Sequence, residues 1–325
     1  MKHAAVIGTG SYVPENVMTN DNLSELVETS DEWIVTRTGI SERRITTGEN
    51  TSELAYKAAV RALEHAKLDP KEIDLIICAT ITPDSFMPST ACIVQDKLGA
   101  VNAAAFDLTA ACTGLIYAMV TADQFIASGM YKNILVIGAE TVSKVLDWGD
   151  RATCVLFGDG AGALILSSEG SSKGILASNL AADGSKQAML TCPAIPLINP
   201  FVKQEDSQSK SKIEMQGQEV FKFAVRAVTD NIKTVLANSG MTPDDIRYII
   251  PHQANKRIIE QAAKFCDIPL EKFYVNLGRY GNTSAATIGI AMDELMQNGI
   301  LNPGDKLILV GFGGGMTSGA VLLEM

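Results

Sequence analysis

Residues Ala55 to Pro83 read AYKAAVRALEHAKLDPKEIDLIICATITP, a stretch whose residue pattern indicates the fold class. Its first part has the apolar spacing of a helix, a turn with Pro70 follows, and the run LIICATI is typical of a buried strand. The same features return in the same order in FAVRAVTDNIKTVLANSGMTPDDIRYIIPHQ, from Phe223 to Gln253. The two stretches predict a helix–turn–strand unit that occurs twice in the chain.

Two further pairs of segments extend this repeat. YKNILVIGAET resembles the later GDKLILVGFGGG, and AGALILSSE resembles the C-terminal SGAVLLEM. Chance is the alternative, because every α/β chain alternates such elements. Four matching elements in the same order, the helix, its strand and the two further segments, favour duplication. We therefore predict an α/β protein of two duplicated halves, 1–170 and 171–325, joined near SSEGSSKG. The apolar strands are expected to be buried on both faces beneath helices.

Composition excludes several classes of protein. The chain has 325 residues, a formal net charge of −10 and 46% hydrophobic residues. The acidic balance argues against a nucleic-acid partner, which requires clustered Lys and Arg, although a local basic patch could still bind an acidic protein. No segment reaches the roughly 20 apolar residues of a membrane span, and the N-terminal apolar run is too short for a signal peptide.

The six cysteines lack the paired spacing of zinc or dithiol sites. We therefore expect a cytoplasmic protein with reduced thiols and no metal. The proline-rich and then polar stretch CPAIPLINPFVKQEDSQSKSK, residues 192–212, is predicted to be a loop. It could cover a site or lie in solvent, and the sequence favours solvent.

A cysteine stands at the start of an apolar helix in FDLTAACTGLIYAMVTADQFIASG, residues 106–129. Small residues precede Cys112, and apolar residues cover most of the helix circumference after it, which predicts a central buried helix. A thiol at a helix N-terminus faces unpaired backbone N–H groups and the positive end of the dipole, which favour thiolate. The alternative is a small core residue, a common role of free cysteine.

Two polar residues are the candidate partners of Cys112. Of the three histidines, His252 follows the strand RYII, at a carboxyl end where open α/β sheets bind ligands, whereas His3 and His65 are expected in solvent. Asn282 precedes another apolar helix in GRYGNTSAATIGIAMDEL, and aligning AACTGLIYAM with GNTSAATIGIAM puts it within one residue of Cys112. A pseudo-twofold axis would bring the two helix starts together, although Asn is also an ordinary N-cap.

Four motifs in this order, TAACTG, PHQAN, GNTSAA and GFGGG, resemble those of the β-ketoacyl-acyl-carrier-protein synthase III family. These are the initiating condensing enzymes of bacterial type II fatty acid synthesis, within the thiolase superfamily. The similarity covers the whole chain, from SDEWIVTRTGI to the last strand. It implies a thiolase-like fold, with two α/β halves in an α-β-α-β-α layered arrangement around central buried helices, and a homodimer.

The resemblance also implies a reaction. Cys112 would take the acyl primer from acyl-CoA as a thioester, and His252 and Asn282 would stabilise the enolate left by decarboxylation of malonyl-acyl carrier protein. Attack of that carbanion on the thioester would give a β-ketoacyl-acyl carrier protein. The backbone N–H groups of Cys112 and Gly314 resemble the oxyanion hole. No metal or redox cofactor is implied, and coenzyme A enters only as part of the acyl-CoA substrate.

The coenzyme A site and the docking site for acyl carrier protein are similar by position as well. Trp33 and Arg151 match residues that sandwich the adenine, and Arg37 and Thr38 are expected nearby. The pantetheine tunnel corresponds to Gly217, Phe221 and Asn255. The basic patch for the carrier corresponds to Lys222, Lys256, Arg257 and Lys264. Taken alone, the tryptophan could be a core residue and the charged side chains could be solvated helix faces.

One position departs from the family pattern. Met87, in DSFMPSTAC, stands where many relatives carry a Phe that bounds the primer pocket of the partner subunit. Methionine is flexible, so we expect a more permissive primer pocket.

Three other functions are alternatives. The same residue types could form a cysteine-dependent acyl-thioester hydrolase, with His as the base and Asn orienting it. The chain could also be a related condensing or acyltransfer enzyme of secondary metabolism, or a non-catalytic carrier-binding protein.

Overall fold

Two β-sheets define the architecture, and the computed structural model describes residues 3–197, 199–202 and 211–325. The first sheet contains β1 (Ala5–Tyr12), β2 (Leu75–Ala79), β3 (Ala104–Leu108), β4 (Asn133–Glu140) and β5 (Gly160–Ser167). Their spatial order is β1-β5-β4-β2-β3. The second sheet contains β6 (Gly174–Ala182), β7 (Tyr248–Pro251), β8 (Lys306–Gly313) and β9 (Thr317–Glu324), in the order β7-β8-β9-β6.

Seven helices of at least two turns pack on these sheets within the described ranges. They are α1 (Asp31–Thr38), α2 (Thr51–Ala66), α3 (Thr90–Leu98), α4 (Gly114–Ala127), α5 (Gly217–Ser239), α6 (Lys256–Cys266) and α7 (Thr287–Gln297). Shorter helices span Asn20–Ser24, Arg151–Cys154 and Leu277–Tyr280. Two small two-stranded sheets pair Val17–Thr19 with Glu42–Arg44 and Leu190–Thr191 with Glu214–Met215.

The predicted repeat is present in the topology. The order β1-β5-β4-β2 of the first sheet matches β6-β9-β8-β7 of the second, and both contain a parallel pair beside antiparallel strands. Where the first sheet has β3, the second has, within the described ranges, only an isolated parallel bridge between Phe273 and Ile249. Strand β5 ends at Ser167 and β6 begins at Gly174, on either side of the expected join. The division into halves 1–170 and 171–325 stays a prediction.

Five layers stack in the order helix, sheet, helix, sheet, helix. Helices α4 and α7 lie between the two sheets, where Leu115, Met119 and Met292 pack against strand residues such as Ile77 and Leu309. Helix α2 covers the outer face of the first sheet, and α5 and α6 cover the outer face of the second. This confirms the expected thiolase-like layering around two central helices.

The predicted loop at 192–212 is only partly described, because residue 198 and residues 203–210 lie outside the described ranges. Residues 190 and 191 pair with 215 and 214, so the two ends of the stretch lie side by side. None of the helices in the described ranges is both long and apolar enough to cross a membrane.

Candidate active site

Cys112 lies between strand β3 of the first sheet and the central helix α4. A 3₁₀ turn at Ala111–Thr113 follows β3 and leads into the helix at Gly114, as the sequence predicted. The side chain is 8% exposed, and burial raises the pKa of its thiol to about 12. The thiol is therefore protonated in the resting protein despite its place at a helix start.

His252 follows the carboxyl end of β7 and is buried. Its backbone N–H donates to Val310 O at 2.8 Å, and its ring packs edge-on against Phe312 at 5.2 Å between centroids. Nδ1 lies 2.7 Å from Thr287 Oγ1. Burial lowers the pKa of His252 to about 3, so the imidazole is neutral at physiological pH.

Asn282 is held on the turn before α7. Its backbone N–H donates to Leu156 O at 2.8 Å, and its Oδ1 accepts from the Ser284 N–H at 2.9 Å. No hydrogen bond within the described part of the chain occupies Nδ2. The carboxamide is thus fixed with its donor end available.

The predicted alignment of Cys112 with Asn282 was wrong by three residues. Helix α4 begins three residues after Ala111 and α7 begins three residues after Ser284, and these two residues share a positive φ of 47° and 50°. Cys112 therefore corresponds to Ala285. The helix starts do meet, but Asn282 reaches the site from the turn preceding its helix rather than from the equivalent position.

The three side chains converge on one narrow cavity of about 90 Å³, which Cys112, His252 and Asn282 line together. Gly217, Phe221 and Asn255 line it as well, as predicted for a tunnel to the surface. A second cavity, of about 810 Å³, also has Cys112 in its wall. Cys112 is thus the point at which two cavities meet.

A glycine loop closes the site opposite Cys112. A Cβ on Gly313 would lie 2.7 Å from the Cys112 backbone nitrogen, so only glycine allows this approach. Gly314 lines the larger cavity together with Cys112, and Gly315 has a φ of 75°. This places a second stretch of backbone next to the thiol, where the oxyanion hole was expected.

The larger cavity includes part of the predicted loop. Cys192 and Ala194 line it, so the first residues of that loop border the site, whereas the sequence favoured a loop in solvent. Met87 does not line this cavity in its own chain and is 85% exposed, whereas its neighbour Phe86 does line it. The assignment of Met87 to a partner's primer pocket stays a prediction.

The predicted coenzyme A residues form a cluster at the surface. The guanidinium groups of Arg37 and Arg151 lie 4.7 Å and 4.8 Å from the centroid of the Trp33 ring. Asn255 caps α6 and donates to Arg37 O at 3.0 Å, which ties this cluster to the narrow cavity. Thr38 differs, because it is buried and its hydroxyl donates to Ile34 O and accepts from the Ile40 N–H. Its assignment to the coenzyme A site stays a prediction, and its hydroxyl group is already engaged by the backbone.

The predicted basic patch is exposed on α5 and α6. Lys222, Lys256, Arg257 and Lys264 all reach solvent. Between the two helices lies a groove of about 570 Å³ with Phe265, 59% exposed, in its wall. Sequence reasoning missed two further basic residues of this groove, Arg226 and Lys233. Their spacing along α5 from Lys222 was the available signal.

Two buried residues next to Cys112 were also missed. Ser284 Oγ lies 3.4 Å from Cys112 Sγ, and it donates to Glu140 Oε1 at 3.1 Å. The motif GNTSAA contains Ser284, but nothing in the sequence shows that it reaches Glu140 at the end of β4. No group of residues suited to hold a metal ion occurs in the described ranges.

Comparison with known proteins agrees with this site. Residues 106–184 match the family described as 3-oxoacyl-[acyl-carrier-protein] synthase III, and residues 236–325 match its C-terminal domain. The β-ketoacyl-[acyl-carrier-protein] synthase III of Clostridium acetobutylicum is 56% identical over 324 residues, covering 100% of this chain and 99% of the relative.

Solved structures give the same result. The 3-oxoacyl-[acyl-carrier-protein] synthase III of Aquifex aeolicus has a TM-score of 0.92 at 48% identity, covering 99% of this chain and 100% of that one. A priming β-ketosynthase of a polyketide pathway has the same TM-score at only 32% identity, covering 100% of this chain and 96% of that one. These comparisons do not favour the hydrolase or the secondary-metabolism alternative. The chain belongs to the β-ketoacyl-[acyl-carrier-protein] synthase III family, the initiating condensing enzymes of fatty acid synthesis.

Proposed function

We propose that Cys112, His252 and Asn282 carry out the condensation of an acyl-CoA primer with malonyl-acyl carrier protein. The observation that carries this assignment is their convergence on one cavity of about 90 Å³. A thioester carbonyl in that cavity would face a nucleophilic sulfur and two neutral hydrogen-bond donors at once.

In the first half-reaction, Cys112 Sγ attacks the acyl-CoA carbonyl, and coenzyme A leaves as the thiol. Negative charge develops on the carbonyl oxygen, which the backbone N–H groups of Cys112 and Gly314 would stabilise. Support comes from Gly313, whose lack of a side chain brings the glycine loop against the Cys112 backbone.

In the second half-reaction, the malonyl thioester loses carbon dioxide and becomes an enolate. We assign Thr287 Oγ1 as the donor to Nδ1, which puts the proton of the neutral His252 ring on Nε2, and Asn282 offers its Nδ2. Two such donors stabilise the enolate oxygen without carrying charge themselves. The carbanion then attacks the acyl group on Cys112, and the product leaves as a β-ketoacyl-acyl carrier protein.

The site geometry argues against a hydrolase. A hydrolase of the Cys-His-Asn type needs the Asn side chain to orient the imidazole. Here Thr287 faces Nδ1 of His252, while the Asn282 oxygen is engaged by Ser284. His252 is also a weak base, because burial lowers its pKa to about 3.

Substitution of the three residues separates the two half-reactions. Cys112→Ala should abolish covalent acylation by acyl-CoA, measured by mass spectrometry of the intact protein. His252→Ala and Asn282→Ala should still be acylated but lose roughly 10²–10³-fold in malonyl decarboxylation. Cys92→Ala, which alters an exposed cysteine, is the matched control and should retain both steps. Normal condensation by either the His252 or the Asn282 variant would contradict the enolate role.

We further propose that the adenine of coenzyme A binds between Trp33 and Arg151, with Arg37 and Thr38 nearby. Its pantetheine arm would lie along Gly217, Phe221 and Asn255. The stacking of both guanidinium groups on one indole supports a site for a flat, phosphate-bearing base. The carrier protein is proposed to dock on the basic residues of α5 and α6.

A homodimer and a cytoplasmic location stay proposals from the sequence and the family. The exposed pair Phe86 and Met87 supports an interface at that loop. If Met87 bounds a partner's pocket, its flexibility should allow branched primers, so isobutyryl-CoA should compete with acetyl-CoA for acylation of Cys112. Strict selection of acetyl-CoA would remove this idea.

A further inference from the structure

A continuous chain of hydrogen-bonding groups links the Cys112 thiol to a buried carboxyl group. Cys112 Sγ donates to Ser284 Oγ at 3.4 Å, and Ser284 Oγ donates to Glu140 Oε1 at 3.1 Å. Ser284 is 1% exposed and Glu140 is fully buried, so neither exchanges its partner for bulk water. Both side chains are distinct from the three residues assigned above.

The surroundings of Glu140 bring the pKa of its carboxyl group close to neutral pH. Its carboxyl group accepts from the Ile81 N–H at 3.2 Å and from the hydroxyl groups of Thr80 and Thr82, which favour the ionised form. Burial opposes them more strongly and raises the pKa of Glu140 to about 7. No salt bridge to Glu140 occurs in the described ranges. The titratable groups that interact with it are Cys78, Cys112, Cys192 and Lys144.

The first half-reaction needs an acceptor for the thiol proton. Burial raises the pKa of Cys112 to about 12, so the attacking sulfur carries a proton beforehand. His252 is a poor acceptor at neutral pH, because burial lowers its pKa to about 3. Glu140, reached through Ser284, has the proton affinity that acid–base catalysis near neutral pH requires.

We propose that Ser284 is a further catalytic residue, which passes the Cys112 proton toward Glu140 during acylation, with Glu140 positioning it and holding the proton. As the sulfur–carbon bond to the primer forms, the Cys112 proton moves to Ser284 Oγ and the Ser284 proton moves to the carboxylate. The carbon–sulfur bond of acyl-CoA breaks, its electron pair leaves on the coenzyme A sulfur, and the reverse transfer through Ser284 protonates that thiolate. Glu140 and Ser284 end unchanged.

The backbone at Ser284 supports this role. Ser284 has a φ of 50°, a conformation that residues other than glycine adopt rarely and that clusters at active sites. Its N–H donates to Asn282 Oδ1 while its hydroxyl group contacts Cys112. One residue therefore orients groups of both half-reactions. The relay rests on the proposed role of Cys112 as nucleophile.

The test is the pH dependence of single-turnover acylation, with acetyl-CoA as the probe and intact-protein mass as the readout. The wild-type rate should rise with pH and level off above about 7, as Glu140 ionises. Glu140→Gln and Ser284→Ala should be slowed roughly 10²-fold, and Glu140→Gln should lose the rise with pH. Both should keep malonyl-thioester decarboxylation, which depends on His252 and Asn282.

Thr80→Val provides a second, milder variant. It keeps the relay but removes a hydrogen bond that favours the Glu140 carboxylate, so the midpoint of the acylation profile should move to higher pH. A merely structural role for Glu140 predicts no such movement. If Glu140→Gln also loses decarboxylation, as a misfolded protein would, the pH midpoint of Thr80→Val still tests the relay.

Two results would overturn the relay. One is a wild-type rate and pH profile in Glu140→Gln, and the other is an unmoved midpoint in Thr80→Val. Acylation persisting in Cys112→Ala would be a different failure, because it would remove the nucleophile assignment itself.

Discussion

Burial of His252 makes the stability of the folded protein depend on pH. The pKa of this histidine is lowered to about 3 in the folded state, against about 6.5 in an unfolded chain. Below pH 6.5 the unfolded state therefore binds a proton that the folded state does not. By linkage, the contribution of His252 to the free energy of unfolding falls by about 1.4 kcal/mol per pH unit as pH drops toward 3.

His252→Gln should remove this contribution. Between about pH 7 and about pH 5, the wild type should lose about 2 kcal/mol more of its free energy of unfolding than the variant does. Urea denaturation of both proteins at the two pH values measures the difference. Parallel losses would show that His252 is not buried in the neutral form.

At this scale the sequence predicts residues that carry recognisable chemistry and misses those that act through contacts. Cys112, His252 and Asn282 stand at element boundaries next to distinctive motifs, and all three line one cavity. Glu140 and Ser284 are 144 residues apart in the chain and meet only through the stacking of the two sheets. No spacing rule connects such a pair, so only the fold reveals it.

Among the packed elements, helix α7 crosses strand β5 where Gly289 of the helix faces Gly162 of the strand. A Cβ on Gly289 would lie 2.9 Å from the Cα of Gly162, so the helix could not keep its distance from the sheet. In an isolated helix, Gly→Ala is stabilising by about 1 kcal/mol. At Gly289 we expect the steric clash to outweigh the gain in helix propensity, because the neighbouring atoms belong to the backbone and cannot move aside.

Gly289→Ala should therefore lower the free energy of unfolding by about 1–3 kcal/mol, against its helix propensity. Because α7 follows the turn that carries Asn282 and Ser284, condensation activity should fall as well. Gly184→Ala is the matched control, since nothing lies within 4 Å of its added Cβ. Denaturant unfolding of both variants checks the prediction, and a stabilised Gly289→Ala would mean that propensity outweighs packing.

Hydrophobic periodicity predicted the positions of helices and strands but not of the turns between them. The helices and strands expected at 55–83 and 223–253 are present as α2 with β2 and α5 with β7. The equivalence of the two central helix starts was three residues off, because a 3₁₀ turn precedes each helix and belongs to no hydrophobic pattern.

Over the whole molecule, the matching strand order of the two sheets explains why the site lies between them. Helices α4 and α7 form the middle layer between the two sheets. The segments just before these helices contain Cys112 and Asn282. The four matched elements were sufficient to predict two similar sheets. They could not show that the second sheet lacks a full counterpart of β3, because one bridge at Phe273 leaves no strand-length pattern.

The charge distribution of the whole protein bears on how it would meet an acidic carrier. A formal net charge of −10 repels an acidic partner at long range, so attraction must come from a local cluster. The groove between α5 and α6 gathers Lys222, Arg226, Lys233 and Arg257, with Lys264 exposed on the same helix as Arg257. Such a patch steers association within roughly a Debye length of the surface.

Lys264→Glu should therefore raise KM for malonyl-acyl carrier protein roughly fivefold, about 1 kcal/mol, because an exposed charge contributes about this much to docking. The increase should shrink at high salt, which screens the wild-type attraction. Acylation of Cys112 by acyl-CoA should not change, since Lys264 lines neither cavity at the cysteine. Lys132→Glu reverses an exposed charge just before the amino end of β4 and is the matched control. Steady-state kinetics against carrier concentration separates the two, and equal effects would place the docking surface elsewhere.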